Sequence, residues 1–168
     1  AAAWATPGVV AVVTGQDLGA RNRYGLEHRD QPVLADDIVR YAGEPVAIVA
    51  ADHPDTARRA ADAIVVAYDV LDPLVDPERA IGATPIHPDG NVFRHVRIRH
   101  GDPLTRGPIV VEGEYEVGMQ DQAFLGPEAG LAVPADDGGI DLIVPSQWLH
   151  NDRDQIAEVL GIPPEKVR

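Results

Sequence analysis

The run QDQAFLGPEAGLAVP occupies residues 120–134, and IVPSQW follows it at residues 143–148. A polar loop interrupted by glycine and proline leads into an apolar strand, and a second strand then ends at Gln147. The residues between the two strands, ADDGG at 135–139, are a strong turn signal. We predict a hairpin over residues 130–144, with one end forming the wall of a site and Gln147 buried there.

Composition narrows the possible partners. With 168 residues, the chain is long enough for one domain or two small ones. Its net charge of −13 argues against nucleic acid and against anionic membranes as partners. The absence of cysteine excludes disulfides, thiolate metal sites and iron–sulfur clusters within the chain. We find no membrane-length apolar run and no signal peptide, and we expect a cytoplasmic protein.

The first half of the chain alternates short apolar runs with one helical pattern. Residues 9–14 are predicted as a buried strand, and residues 38–41 and 45–50 as a pair of strands around Gly43. A helix over residues 53–65 is predicted to begin at Asp52 as its N-cap. One apolar stripe recurs at helical spacing: Ala57, Ala60, Ala61 and Ile64. We expect this stripe to pack on a sheet that contains strands 45–50 and 92–98.

The remaining strands are predicted from alternation. Residues 66–68, 92–100 and 109–117 are predicted as strands, with a loop-rich stretch between residues 72 and 90. Asn151 is the predicted cap of a last helix, which Gly161 ends. The inward residues of that helix are predicted to be Ile156, Val159 and Leu160.

The element order gives an α+β fold in two parts. Turn residues cluster at residues 102–108, where the apolar periodicity stops. We predict a first domain over residues 1–101, a linker over 102–108, and the beginning of a second, mixed α/β domain over 109–168.

Several acidic and histidine residues are candidates for sites, and their patterns favour ordinary roles. The six histidines form no metal-ligand spacing, which favours surface or capping roles. Asp36 and Asp37 are adjacent on a strand pattern, which favours turn and hydrogen-bonding roles over acid–base chemistry. The glutamates at 112, 114 and 116 share one predicted strand face, which favours a solvated face over glycosidase chemistry. The strand–helix–strand unit over 45–68 lacks GxGxxG, so we reject dinucleotide binding.

The sequence leaves two possible roles for each of two residues in the runs at 120–134 and 143–148. Glu128 is either a pocket carboxylate or a hydrogen-bonding residue at a strand edge. Gln147 is either a turn residue or a neutral hydrogen-bond donor aimed into a site. No metal ligand is assigned.

Ordered motifs along almost the whole chain resemble one family, the molybdenum-binding subunits of the xanthine dehydrogenase and aldehyde oxidase hydroxylases. They are PGVVAVVT at 7–14, LADDIVRYAGEPVA at 34–47, VVEGEY at 110–115, and the run at 120–134. Each motif is common by itself, whereas their order and spacing are specific.

The resemblance implies that residues 1–101 are an α/β-hammerhead domain without its N-terminal strands, and that residues 109–168 begin a molybdopterin-binding domain. The family hydroxylates a carbon beside nitrogen, or an aldehyde carbon, with oxygen from water. It uses a molybdopterin cofactor, expected here in the cytosine dinucleotide form, together with FAD and iron–sulfur clusters on partner domains or subunits.

The same resemblance gives Gln147 a role. Its side-chain amide is implied to hydrogen-bond an oxo ligand of the molybdenum centre, with Ser146 as the preceding hydroxyl residue. Many relatives carry histidine where this chain has Gln122. This departure points to a bacterial xanthine dehydrogenase-like subclass and leaves the roles of Gln122 and Glu128 open.

The expected function is xanthine dehydrogenase-like hydroxylation of a purine or related N-heterocycle, in purine catabolism. The alternatives are a related enzyme that oxidises aldehydes, nicotinate or carbon monoxide, and a non-catalytic module that docks subunits. We read the chain as a fragment, expected by itself to hold no cofactor and to be inactive. Its edge near Val167 is expected to be frayed or paired with another chain.

Overall fold

The computed structural model describes residues 2–102, 104–126 and 129–168. The strands are β1 (Val9–Thr14), β2 (Ala47–Ala51), β3 (Leu131–Pro134) and β4 (Ile140–Ile143). The helices are α1 (Gly15–Leu18), α2 (Pro54–Asp62), α3 (Pro77–Ala80) and α4 (Leu149–Leu160). Single 3-10 turns lie at Ala3–Ala5, Gly19–Arg21 and Pro164–Lys166. The mixture of helices and antiparallel strands agrees with the predicted α+β class.

The N-terminal sheet pairs β1 with β2 in antiparallel register, with Thr14 opposite Ala47. The predicted strand at 9–14 is therefore confirmed, but the predicted pairing of 38–41 with 45–50 is wrong. The carboxylate of Glu44 accepts a hydrogen bond from the backbone N–H of Arg40 over 2.5 Å. This side chain, which is 4% exposed, closes a turn between the two segments, and residues 38–41 lie outside the ladder.

Helix α2 packs on β2, on β1 and on the 3-10 turn Ala3–Ala5. Ala60 is fully buried, as predicted, whereas Ala61 is exposed. The N-cap is His53, whose Nδ1 accepts from the backbone N–H of Asp55 over 3.1 Å, and not the predicted Asp52. The predicted N-cap is wrong because the helix begins at Pro54, one residue later than an Asp52 cap would require.

Residues 66–68, 92–100 and 109–117 form no strands, contrary to the prediction. Their apolar side chains are largely exposed, with Ile98 at 88% and Tyr115 at 89%. Alternation marks two faces of an extended segment, but a strand also needs a neighbour for its backbone hydrogen bonds. None of the described residues supplies that neighbour.

The predicted C-terminal hairpin is confirmed as β3 and β4, paired from Leu131 opposite Ile143 to Pro134 opposite Ile140. The chain end lies beside β4, because Arg168 donates its N–H to Ile140 O and accepts from Leu142 N–H. Val167, 4% exposed, bridges to Ile140 in parallel. The expectation of a frayed or intermolecular edge near Val167 is therefore wrong.

Helix α4 begins at Leu149 after Trp148, two residues before the predicted cap Asn151. Its fully buried residue is Ala157 rather than Leu160, which is exposed. Gly161 ends the helix in left-handed conformation, with φ of 69°, as predicted. No helix among the described segments combines the length and apolar character that crossing a membrane requires.

Candidate functional site

A cleft of about 800 Å³ opens at one end of the β3–β4 hairpin. It is lined by residues from the runs at 120–134 and 143–148: Gln122, Phe124, Ala129, Gly130, Val144, Pro145, Ser146 and Gln147. The two runs meet because the residues before β3 and those after β4 lie at the same end of an antiparallel pair. The hairpin therefore brings both runs to one end of the antiparallel pair.

Gly130 allows the two walls to approach each other. A Cβ atom built at this position would collide with the Val144 side chain and lie 3.2 Å from Ile143 O. A larger residue here would require the Val144 side chain to shift, so glycine suits this close approach. The close contact brings the segment that carries Gln122 next to the segment that carries Gln147.

The loop that presents Gln122 is built around a local turn. Ala123 has a positive φ of 49°, and its N–H donates to Asp121 Oδ1 over 3.1 Å. A short aspartate side chain that accepts from the residue two positions later is a common turn-forming contact. The turn sets Gln122 at its centre, facing the cleft with Phe124 nearby.

Gln147 is one of the residues that line the cleft, and it is exposed rather than buried. Ser146, the residue before it, donates from Oγ to Asp152 Oδ2 over 2.6 Å. Asp152 lies in the first turn of α4, and its N–H donates to Trp148 O. The turn that carries Gln147 is therefore fixed to the start of the helix.

The sequence did not indicate Phe124 or Asp152 as parts of this site. An aromatic residue inside an otherwise polar loop was the available signal for Phe124. For Asp152, the signal was an acidic residue in a first helical turn, a few positions after a serine. Glu128 lies outside the described residues.

The other candidate residues lie away from the cleft. Asp36 and Asp37 are exposed, as are Glu112, Glu114 and Glu116. His53 caps α2, and His87 contacts Asp30 through Nδ1 over 2.6 Å. The described residues contain no group of three histidine, aspartate or glutamate side chains placed to hold a metal ion.

Comparison with known families assigns both parts of the chain. Residues 1–72 match the aldehyde oxidase and xanthine dehydrogenase a/b hammerhead domain. Residues 86–168 match the molybdopterin cofactor-binding domain. The second match contains the whole cleft.

Two curated relatives and one solved structure agree with this assignment. A probable xanthine dehydrogenase subunit from Bacillus subtilis is 39% identical over 96% of the chain and 22% of its own length. The nicotinate dehydrogenase large molybdopterin subunit of Eubacterium barkeri is 34% identical over 98% of the chain and 40% of its own length. The aldehyde oxidoreductase of Desulfovibrio gigas superposes with a TM-score of 0.83 at 28% identity, over 98% of this chain and 20% of that one.

The chain spans less than half the length of these relatives. Its two matched regions follow each other in the same order as the motifs that carried the resemblance. Together the two matches cover residues 1–72 and 86–168, so that only residues 73–85 lie outside them. The chain belongs to the xanthine dehydrogenase and aldehyde oxidase family of molybdenum hydroxylases.

Proposed function

We propose that this chain contributes one wall of the cofactor site in a molybdenum hydroxylase, and that the whole protein hydroxylates a purine such as xanthine. The observation that carries the proposal is the cleft that joins Gln122 and Gln147 within the region matched to the molybdopterin cofactor-binding domain. The predicted boundaries, with a hammerhead domain over 1–101 and a linker over 102–108, remain part of this proposal.

The side chains in the cleft suit a molybdopterin cofactor. Gln122 and Gln147 offer neutral amide donors and acceptors, which hydrogen-bond the oxygen and nitrogen atoms of a cofactor without adding charge. Amides are poor ligands for a metal held directly by protein, so these residues fit a group that brings its own metal ligands. When bound, that group supplies the redox chemistry, and the protein supplies orientation and electrostatics.

Within this proposal, the Gln147 amide would donate a hydrogen bond to an oxo group of the bound cofactor. The Ser146–Asp152 hydrogen bond holds the turn that carries the amide. Phe124 offers an apolar surface on which a flat ring could lie. The exposed state of Gln147 leaves its amide free to face a bound group.

Xanthine is preferred among the substrates named for the relatives, which are xanthine, nicotinate and aldehydes. The probable xanthine dehydrogenase subunit has the higher identity of the two curated relatives reported above, 39% against 34%. A bacterial role in purine catabolism is part of the same proposal, and the cytoplasmic location stays a prediction.

Electrons must leave the cofactor through other parts of the enzyme. The chain has no cysteine, so it offers no thiolate ligands for an iron–sulfur cluster. We therefore propose FAD and iron–sulfur clusters on partner domains or subunits, with the molybdopterin in its cytosine dinucleotide form.

The test is a metal and substrate analysis of the whole protein. Molybdenum content is measured by mass spectrometry, and the nucleotide released from the cofactor is identified by chromatography. Dye reduction is followed with xanthine, nicotinate and benzaldehyde in the same preparation. Molybdenum at about one atom per chain, together with turnover of xanthine, supports the proposal.

Other outcomes would replace the proposal in defined ways. Molybdenum with turnover of nicotinate or benzaldehyde alone would assign a different substrate to the same family chemistry. A folded complex that binds its partner subunits but holds no molybdenum would identify a docking module instead.

A further inference from the structure

A second cleft, of about 550 Å³, lies in the N-terminal part of the chain, away from Gln147. Its lining combines ionisable side chains with an apolar loop: Arg23, Arg29, Asp30, Arg40, Pro85, Ile86, His87 and Pro88. The volume falls within the range of small-molecule sites in proteins. None of these residues belongs to the cleft described above.

The charge of this cleft opposes the charge of the chain. Acidic residues outnumber basic ones by 27 to 14 overall, yet three arginines and only one aspartate line the cleft. The aspartate, Asp30, is paired with His87 at 2.6 Å, which occupies one of its carboxylate oxygens. The lining itself therefore carries more basic than acidic side chains, although Glu44 and Glu158 pair with the arginines from outside the cleft.

Among the described residues, two carboxylates outside the cleft pair with its three arginines. Arg40 lies 3.5 Å from Glu44, whose side chain is 4% exposed. Arg29 forms an ion pair with Glu158 of α4, and Arg23 approaches the same carboxylate only to 3.9 Å. Each guanidinium has five N–H donors, so most donors of these arginines are not used by the two glutamates.

The arginine most available to a ligand is Arg23. Its side chain is 60% exposed, and its distance to Glu158 is too long for a hydrogen bond. Arg29 and Arg40 each lie against a glutamate, and their side chains are less exposed, at 43% and 28%. Planar guanidinium groups placed in this way match the paired oxygens of a carboxylate or phosphate.

We propose that this cleft binds a small organic anion. Its carboxylate or phosphate group contacts Arg23, Arg29 and Arg40, and its apolar part lies on Ile86 and the flanking prolines. The apolar loop distinguishes such a ligand from an inorganic ion, which would gain nothing from that surface.

The proposal is tested on the whole protein by calorimetric titration with phenyl phosphate, benzoate and neutral benzamide. The three probes share one ring and differ in the group that would meet the arginines. We expect saturable binding of at least one anion, with benzamide weaker by about tenfold or more. The stronger of the two anions identifies the acid group that the cleft prefers.

Three variants locate the site. Arg23→Gln should weaken binding of the anion about tenfold, and Ile86→Glu should abolish it by placing a carboxylate on the apolar loop. The matched control is Arg58→Gln, because Arg58 is a 75% exposed arginine of α2 outside the cleft and should leave the affinity within about twofold.

Variants are compared only when their thermal unfolding midpoints match that of the unmodified protein. Any of three results would overturn the proposal. Benzamide would bind as tightly as the anions, no anion would bind saturably, or Arg23→Gln and Arg58→Gln would lose the same affinity for the anion.

Discussion

Ser146 donates a hydrogen bond to Asp152 over 2.6 Å, which joins the residue before Gln147 to the first turn of α4. A hydroxyl bonded to a carboxylate is a short, charge-assisted contact. The position of the Gln147 backbone therefore depends on where α4 begins. Asp152 serves two purposes, because its own N–H donates to Trp148 O as part of that same helical start.

Ser146→Ala should lower the turnover of the whole enzyme by roughly tenfold, because a hydrogen bond to a charged group contributes about 1.5–3 kcal/mol. Ser146→Thr keeps the hydroxyl and should restore most of the activity. The measurement is turnover per bound molybdenum, which corrects for loss of cofactor. An alanine variant as active as the unmodified enzyme would show that this contact does not position the amide.

Ala60→Asp should destabilise the N-terminal part of the protein by on the order of 3 kcal/mol or more. Ala60 is 0% exposed where α2 packs on the sheet, so the new carboxylate would be buried without a partner. The readouts are the yield of folded protein and the thermal unfolding midpoint.

Ala61→Asp is the matched control, because Ala61 is the next residue of the same helix and is exposed. It should cost no more than about 1 kcal/mol. Equal losses in the two variants would mean that burial at position 60 is not the cause.

The hairpin, and the position of Gln147 after its second strand, were predictable from sequence because their determinants are local. The turn ADDGG lies between two short apolar runs, and Gln147 follows the second run directly. The pairing of β1 with β2 was not predictable in this way, since it joins residues far apart in the chain, from Val9 with Ala51 to Thr14 with Ala47. Periodicity reports which side chains share a face, and it carries no information about which strand is adjacent.

The same limit applies to residues 92–100 and 109–117, whose alternation predicted strands that the described residues do not form. The role of Asp152 was missed for a different reason. The N-cap of α4 is Trp148, three residues before the predicted cap Asn151, and Asp152 lies in the first turn, where it accepts from Ser146. A sequence pattern gives the first residue of a helix only to within a few positions. Contacts that depend on the exact start of the helix therefore could not be predicted.

Asp137 should make the C-terminal hairpin sensitive to acid. Its pKa lies well below the ordinary value of 3.8, because its carboxylate accepts hydrogen bonds from Arg168, then from Lys166 and from the Gly139 N–H. A carboxylate whose pKa is lower when folded stabilises the protein above the unfolded pKa, and this contribution is lost as the pH falls toward the folded value.

Asp137→Asn should therefore be less stable than the unmodified protein near pH 7, and the difference should shrink below about pH 4. Thermal unfolding midpoints across that range provide the measurement. Asp136→Asn, at the exposed neighbour in the same turn, is the control and should show no such trend. A difference that is constant with pH would rule out ionisation of Asp137 as the cause.

Gln147→Ala is the most direct test of the proposed cofactor contact. The residue lines the cleft, is exposed, and lies in a turn held by Ser146 and Asp152, so the fold should tolerate its truncation. A preorganised donor to an oxygen that gains charge in a transition state is worth about 2.7–4 kcal/mol where it has been measured. The variant should therefore lose turnover by roughly one hundredfold while keeping its molybdenum content and unfolding midpoint.

If Gln147 instead only satisfied backbone groups of the turn, the variant would lose stability and keep its turnover per folded, metal-loaded molecule. Gln122→Ala, made in the opposite wall, shows whether the loss is specific to position 147 or common to any amide removed from the cleft.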